Sequence, residues 1–270
     1  MKIGFIGTGN MATAIARGMV TNHFVEGEKV YLFDVLSDKV KALGQEIGGQ
    51  VCNSTKQLLQ EVDVVVLSVK PDIIEKVLVE SKSIILERKP LIVSIAAGTP
   101  LAKISGYLNV SDPLAIVRVM PNVNATIGLG AAAVCGNEYV TEQQLDYVVR
   151  LFESVGKAWV VEESHFSNFT ALAGSSPAYA YLFIDSLARA GVKHGLPKEL
   201  ATQFAAQAVL GSAQMILESG ENPWTLIDRV CSPGGTTVAG LLALEEEAFT
   251  GTIVKGIDAT INRDKEMNEK

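Results

Sequence analysis

Two short stretches of this 270-residue chain concentrate residues able to do chemistry. The first, Phe5-Ile6-Gly7-Thr8-Gly9-Asn10-Met11-Ala12, follows an apolar run and opens a helical pattern. It meets G-x-G-x-x-A through Gly7, Gly9 and Ala12. Glycine at the first position permits a tight turn, and at the second it lets backbone N–H groups approach a pyrophosphate. The small third residue lets helix and strand pack closely, and the anion then rests on the positive end of the helix dipole. The second stretch is Ser232-Pro233-Gly234-Gly235-Thr236-Thr237. Pro-Gly-Gly stops one helix, and the threonines begin the next. Unpaired helix-opening amides with three hydroxyls suit a small carboxylate. From the residues alone, two plainer readings stay open: a glycine turn in some other α/β fold, and an ordinary helix–turn–helix with Ser/Thr caps.

Further candidates lie where strands end. Asp34 closes the second apolar run, where a carboxylate can accept from both adenine-ribose hydroxyls and would repel a 2′-phosphate. That favours NADH, although Ser37 and Lys39 lie close enough to serve a phosphate, and a helix or turn cap is the plainer alternative for Asp34. Ser68-Val69-Lys70-Pro71 and Ala96-Ala97-Gly98 end two central strands, the edge at which open α/β sheets bind ligands. Small residues at 96–98 would admit a nicotinamide ribose, and Lys70 could be only a solvated lysine.

The elements that must position these residues alternate. Strands are expected at 2–7, 29–34, 64–69, 91–95, 114–119, 131–135 and 158–161, with helices at 10–22, 37–47, 72–80 and 141–155. Ala12, Ile15, Ala16 and Met19 share one helical face, and Val64–Val69 is apolar on both faces, as a covered parallel strand should be. This βαβα rhythm predicts a doubly wound, mainly parallel α/β Rossmann domain over 1–162. Beyond it, alanine-, leucine- and glycine-rich patterns predict helices at 164–194, 197–219, 223–231 and 236–268, an all-helical domain over 163–270. Gly195 suits a helix end and Pro197 the first turn of the next, Pro177 implies a kink, and 264–270 reads as a fraying tail.

Composition limits the function. An apolar share of 48% against 20% charged is enough for two cores. A net charge of −7 without a basic cluster argues against nucleic acid. Apolar runs are too short for a membrane span, and an apolar strand beginning at Lys2 leaves no room for a leader. Three scattered cysteines, Cys52, Cys135 and Cys231, suit reduced thiols in a cytoplasmic protein rather than a metal or disulfide framework. No metal site is expected.

The Ser232–Thr237 stretch resembles the signature of pyrroline-5-carboxylate reductases. The resemblance extends through Gly4–Met11, Val69–Pro71, Ser94–Gly98, Val117–Asn122 and Thr170–Tyr179, in order along nearly the whole chain. It implies hydride transfer from NADH or NADPH to C5 of a cyclic imine, giving L-proline, with NADPH often preferred. It implies that Ser232, Gly234, Gly235, Thr236 and Thr237 hold the substrate, with Glu163 and Thr170 approaching it. Cofactor contacts are implied at Ile6–Met11, Asp34, Ser68–Pro71 and Ala96–Gly98. Arg229 and Thr55 stand where the family has asparagines. The helical domains of two subunits are implied to interlock, with decamers as a larger assembly, and Tyr179, Tyr181, Phe183 and Leu187 read as core or dimer contacts.

A protonated cyclic imine is already electrophilic, so hydroxyls and helix-end amides suffice to hold it. Thr237 is accordingly the residue expected at the reacting ring, and His23, His165 and His194 have no catalytic context. Two rival readings are a β-hydroxyacid dehydrogenase, for which Lys193 would be the acid, and a non-enzymatic dinucleotide-sensing scaffold.

Overall fold

A computed structural model describes residues 1–109 and 113–268. The chain divides into two compact units: Met1–Ser175 with the chain end from Ile261, and Ser176–Thr260.

The first unit is an eight-stranded sheet flanked by helices. Its elements are β1 (Ile3–Ile6), α1 (Asn10–Thr21), β2 (Val30–Phe33), α2 (Ser37–Ile47), β3 (Gln50–Val51), α3 (Thr55–Glu61), β4 (Val64–Leu67) and α4 (Pro71–Arg88). There follow β5 (Leu91–Ser94), α5 (Leu101–Leu108), β6 (Ile116–Pro121), β7 (Gly130–Gly136), α6 (Glu142–Glu153) and β8 (Gly156–Val160). Strand order is β3-β2-β1-β4-β5-β6-β7-β8, and only β6–β7 pair antiparallel. Order reverses between β1 and β4, the switch point at which such sheets bind ligands beyond the strand ends.

Alternation along the central strands builds two cores. Val64 and Val66 join Ile3, Phe5, Ile15 and Phe152 on one face. Val65 and Leu67 join Leu58, Ile74, Leu78 and Ile104 on the other. The run is apolar throughout because helices cover both faces.

Several helix limits differ from the sequence expectation. Helix α4 runs to Arg88 rather than 80, since nothing breaks it before Lys89 takes a left-handed conformation. The short helices α3 and α5 were not expected, being too brief to show a clear period. The helix expected at 164–194 is three pieces: α7 (Phe166–Phe169), a π-helical stretch Thr170–Ser175, and α8 (Ser176–Lys193). Pro177 has no N–H to offer the carbonyl of Ala173 four residues earlier. Asn122, 6% exposed, supplies the missing donor: its Nδ2 lies 2.9 Å from that carbonyl and its Oδ1 accepts from Ala131 N at 3.0 Å.

The second unit holds α8, α9 (Lys198–Ser219), α10 (Pro223–Val230), α11 (Thr236–Glu246) and the first part of α12 (Phe249–Asn268). The helix expected over 236–268 is therefore two, separated where Ala248 sits at φ 54°. Glu245, Glu246 and Glu247 place three negative charges at the negative end of α11, which opposes its continuation. Pro197 is the cap of α9 rather than its first residue, and Gly195 is left-handed at φ 93°. In the expected fraying tail, Asp264 is 9% exposed and α12 continues to Asn268; residues 269 and 270 lie outside the described residues. Among the described residues no helix is long and apolar enough to cross a membrane.

Asn122→Ala is expected to cost about 2 kcal/mol, because it strands one part-buried carbonyl and one part-buried amide. Denaturant unfolding of the variant beside the parent checks it.

Candidate functional site

In the first unit, three strand ends meet at one turn. Gly7 has φ +97°, a left-handed conformation, and a Cβ there would lie 2.7 Å from the Ser68 carbonyl oxygen. Its own N–H donates to the Phe33 carbonyl at 2.8 Å. Ser68 Oγ stands 2.7 Å from the Gly7 carbonyl and 3.0 Å from that of Ile6, sharing one proton between them. Ser68 N also donates to Ile6 O at 3.0 Å. The ends of β1, β2 and β4 are thus joined at one residue.

Asp34 fixes the next step of the turn. Its Oδ2 accepts from Thr8 N at 2.6 Å and Thr8 Oγ1 at 3.0 Å, and its Oδ1 accepts from Leu36 N at 2.9 Å. Partial burial alone would raise its carboxyl, but the amides of Leu36, Thr8 and Val35 and the Thr8 hydroxyl outweigh that. They hold it below the usual carboxylate range. The turn-cap reading of Asp34 is therefore realised, while the charge remains at the end of β2.

Beyond this fixed turn the chain opens. Gly9 caps α1 without a side-chain acceptor, no acidic residue stands in the first turn, and a Cβ at Gly9 would meet nothing within 4 Å. Gly9 and Asn10 are exposed and Met11 is partly so. Uncapped amides facing open space fit a dinucleotide diphosphate.

Neighbouring strand ends hold two more groups of candidates, while Thr55 and Arg229 lie on helices, the latter in the second unit. Lys70 is the exposed cap of α4, with Val69 before it and Pro71 at the first helical position. Ala96 is buried, Ala97 exposed, and Gly98 left-handed at φ 67°. Thr55 is the first residue of α3, after the Ser54 cap. Arg229, at the end of α10, pairs with Glu221 at 2.6 Å.

Glu163 and Thr170 also belong to the first unit. Glu163 Oε1 accepts from Leu101 N at 2.8 Å and Arg118 Nη1 at 3.0 Å. Thr170 begins the π-helical stretch, a local irregularity common at functional sites. Sequence reasoning assigned no role to Arg118, whose guanidinium lies 4.5 Å from the Phe166 ring centroid. Its signal was present: one charge inside the apolar strand Ile116–Pro121 requires a partner.

In the second unit, Ser232–Gly235 form a turn closed by Gly235 N to Ser232 O at 3.0 Å. Gly234 has φ +71°, a left-handed conformation that glycine adopts without strain. Gly235 caps α11 with no side-chain hydrogen bond, and Thr236 and Thr237 are exposed in its first turn. This turn brings Ser232, Gly234, Gly235, Thr236 and Thr237 together around uncapped amides. The three histidines and Lys193 are exposed.

Replacing Asp34 by Asn tests the turn. A depressed folded-state pKa means the carboxylate stabilises the fold above its ordinary value of about 4 and loses that contribution as pH falls through the folded value. The variant should melt below the parent at neutral pH. The gap should close as the pH of the melts is lowered into the acid range, whereas a gap independent of pH would contradict the assignment.

Residues 163–267 match a family model described as pyrroline-5-carboxylate reductase dimerisation, and residues 2–98 match one described as NADP oxidoreductase, coenzyme F420-dependent. The chain is 38% identical over 268 residues to the pyrroline-5-carboxylate reductase of Escherichia coli, covering 99% of this chain and 98% of that one. It is similar to the solved reductase of Coxiella burnetii, with a TM-score of 0.93, 34% identity and coverage of 100% and 99%. It is also similar to the Plasmodium falciparum pyrroline carboxylate reductase solved with NADP bound, with a TM-score of 0.87, 32% identity and coverage of 99% and 98%.

Proposed function

The chain belongs to the pyrroline-5-carboxylate reductase family, and on that premise we propose how its residues divide the reduction of 1-pyrroline-5-carboxylate to L-proline. The observation that carries the assignment is the pair of uncapped helix N-termini, at α1 and α11, each opened by a glycine turn. Both are suited to anions, and the reaction joins two anionic ligands.

The Gly7–Met11 turn would hold the diphosphate of a nicotinamide dinucleotide, with Ser68–Pro71 and Ala96–Gly98 beside its nicotinamide half. Thr55 and Arg229 are proposed as further cofactor contacts, although Arg229 would have to leave Glu221. A dinucleotide held there would supply a hydride to C5, the C=N electron pair moving to nitrogen. The Asp34 charge would repel a 2′-phosphate, so NADH is proposed as the better donor.

Ser232, the amide at Gly234, and Thr236 would hold the substrate carboxylate, with Gly235, whose N–H is taken by the Ser232 carbonyl, leaving room for the Ser232 hydroxyl. Thr237 would contact the ring nitrogen or carboxylate, and Thr170 and the second oxygen of Glu163 would approach the substrate. No strong acid is needed, because the protonated ring is already electrophilic. We assign nucleotide binding to 1–162 and substrate binding with dimerisation to 163–270.

Dimerisation is supported by what the second unit leaves uncovered. Helix α9 buries only Ala201 and Ala205, and α10 and α11 bury none of their described residues. Leu210, Leu217, Trp224, Leu242 and Ile253 are exposed, as are Tyr181 and Phe183 of α8. A second copy would cover such surfaces, with a decamer as the larger assembly that the resemblance implies. Three free thiols support the cytoplasm as the compartment.

Oxidation of NADH and NADPH on adding DL-pyrroline-5-carboxylate, followed by absorbance, tests this reading. Turnover is expected with both and faster with NADH. Thr237→Ala should lower kcat/KM by about tenfold to a hundredfold, the loss of one charge-assisted hydrogen bond, with nucleotide affinity unchanged. Binding without turnover by the parent would favour the sensor reading, and unchanged kinetics in the variant would remove Thr237 from the mechanism.

A further inference from the structure

The loop after β5 is held from a distant part of the chain. Arg118, with its side chain 5% exposed, carries a charge out of the centre of the sheet, and its partner is Glu163, 30% exposed. One oxygen, Oε1, takes both the guanidinium and the Leu101 amide. Phe166 covers the guanidinium face. Leu101 opens α5, and its cap is Pro100, which has no side-chain acceptor. Glu163, 62 residues away, therefore does for this helix what a Ser or Asp cap ordinarily does.

What this fixes is the segment Ala96–Pro100. Gly98 is left-handed, Thr99 is 1% exposed, and Thr99 Oγ1 reaches the Ala97 carbonyl at 3.4 Å. The segment is tethered at its start by Ile95 N to Leu67 O at 3.2 Å, and at its end by Glu163. Without the carboxylate, the first turn of α5 would lose its polar tether and be held only by the packing of Leu101 and Ile104 in the core. Without Arg118, the carboxylate would be left partly buried and unpaired, and it would turn outward to water.

We propose that the Arg118–Glu163 pair is a latch that positions the Ala96–Gly98 loop, and through it the nicotinamide end of the cofactor, for hydride transfer. Both are positioning residues in this role. The effect on hydride transfer rests on the reductase reading, whereas the fixing of the loop does not. Because the diphosphate would be held by the glycine turn, loosening the latch should spoil alignment at the reacting carbon more than it weakens nucleotide binding.

The test uses Arg118→Met, Arg118→Lys and Glu163→Ala beside the parent. It measures kcat with NADH and pyrroline-5-carboxylate, the NADH dissociation constant from nucleotide fluorescence, and amide hydrogen exchange at Leu101 without nucleotide. Arg118→Met should lower kcat by about tenfold to a hundredfold, shift the dissociation constant by no more than about threefold, and speed exchange at Leu101. Arg118→Lys keeps a cation for Glu163 and should recover part of kcat and of the protection. Glu163→Ala, read by exchange alone, should also lose protection at Leu101. The latch is overturned if Arg118→Met keeps parental kcat, if Leu101 exchange is unchanged in Arg118→Met or Glu163→Ala, or if Arg118→Lys is as slow as Arg118→Met. Should Arg118→Met fail to fold, Leu101 exchange in Glu163→Ala decides. A parent chain that reduces no pyrroline-5-carboxylate overturns the reductase reading instead, and Leu101 exchange then decides the latch.

Discussion

Gly7 sits where three strands end, in a backbone conformation that leaves no room for a side chain against the Ser68 carbonyl. Its N–H is taken by β2, its carbonyl by Ser68, and the following amide by Asp34. This joint turns the chain sharply enough that α1 begins with its amides uncapped and facing outward. Without it, the end of β1 would carry the chain on past the switch point, and the amides of α1 would not open at that edge. The neighbouring strand ends, including Lys70 and the Ala96–Gly98 loop, are arranged on strands whose order is counted from that joint.

The same device recurs in the second unit by different means. There, Pro233 and Gly234 make the turn and Gly235 starts the helix, with hydroxyls supplied by Ser232, Thr236 and Thr237. In each unit a helix end, rather than a cluster of cations, is what would offset the charge of an anionic ligand, in a chain whose own net charge is −7. On the proposed reading such ends would bind and orient without contributing an acid, which suits a substrate that arrives protonated.

Much of this was legible in the residues. Runs apolar on both faces, such as Val64–Leu67, announced covered parallel strands, and Gly7, Gly9 and Ala12 announced the turn. Seven of the eight strands followed because period and composition agree there, while the two-residue β3 was not expected, being too short to carry a period. What escaped was set by distant partners or by brevity. The helices α3 and α5 are too short for a clear period. The break at Ala248 carries neither Gly nor Pro, and only the three glutamates before it hinted at an end. The π-helical stretch before Pro177 depends on an asparagine 51 residues from the carbonyl it satisfies. Asp34 could be read from sequence as a ribose ligand or as a cap, and geometry was needed to find its bonds to Thr8. Glu163 came from resemblance, but its bond to Leu101 could not have been seen in either segment alone.

The central claim is that this chain passes a hydride to the imine carbon of a carboxylated pyrroline ring. The most direct measurement is transfer of deuterium from NADH labelled at C4 of the nicotinamide, with both stereoisomers of the label used in turn. Nuclear magnetic resonance of the recovered amino acid then locates the isotope. The account predicts L-proline carrying deuterium at C5 from one of the two labelled donors. Proline without deuterium from either donor, or label found at another carbon, would contradict it.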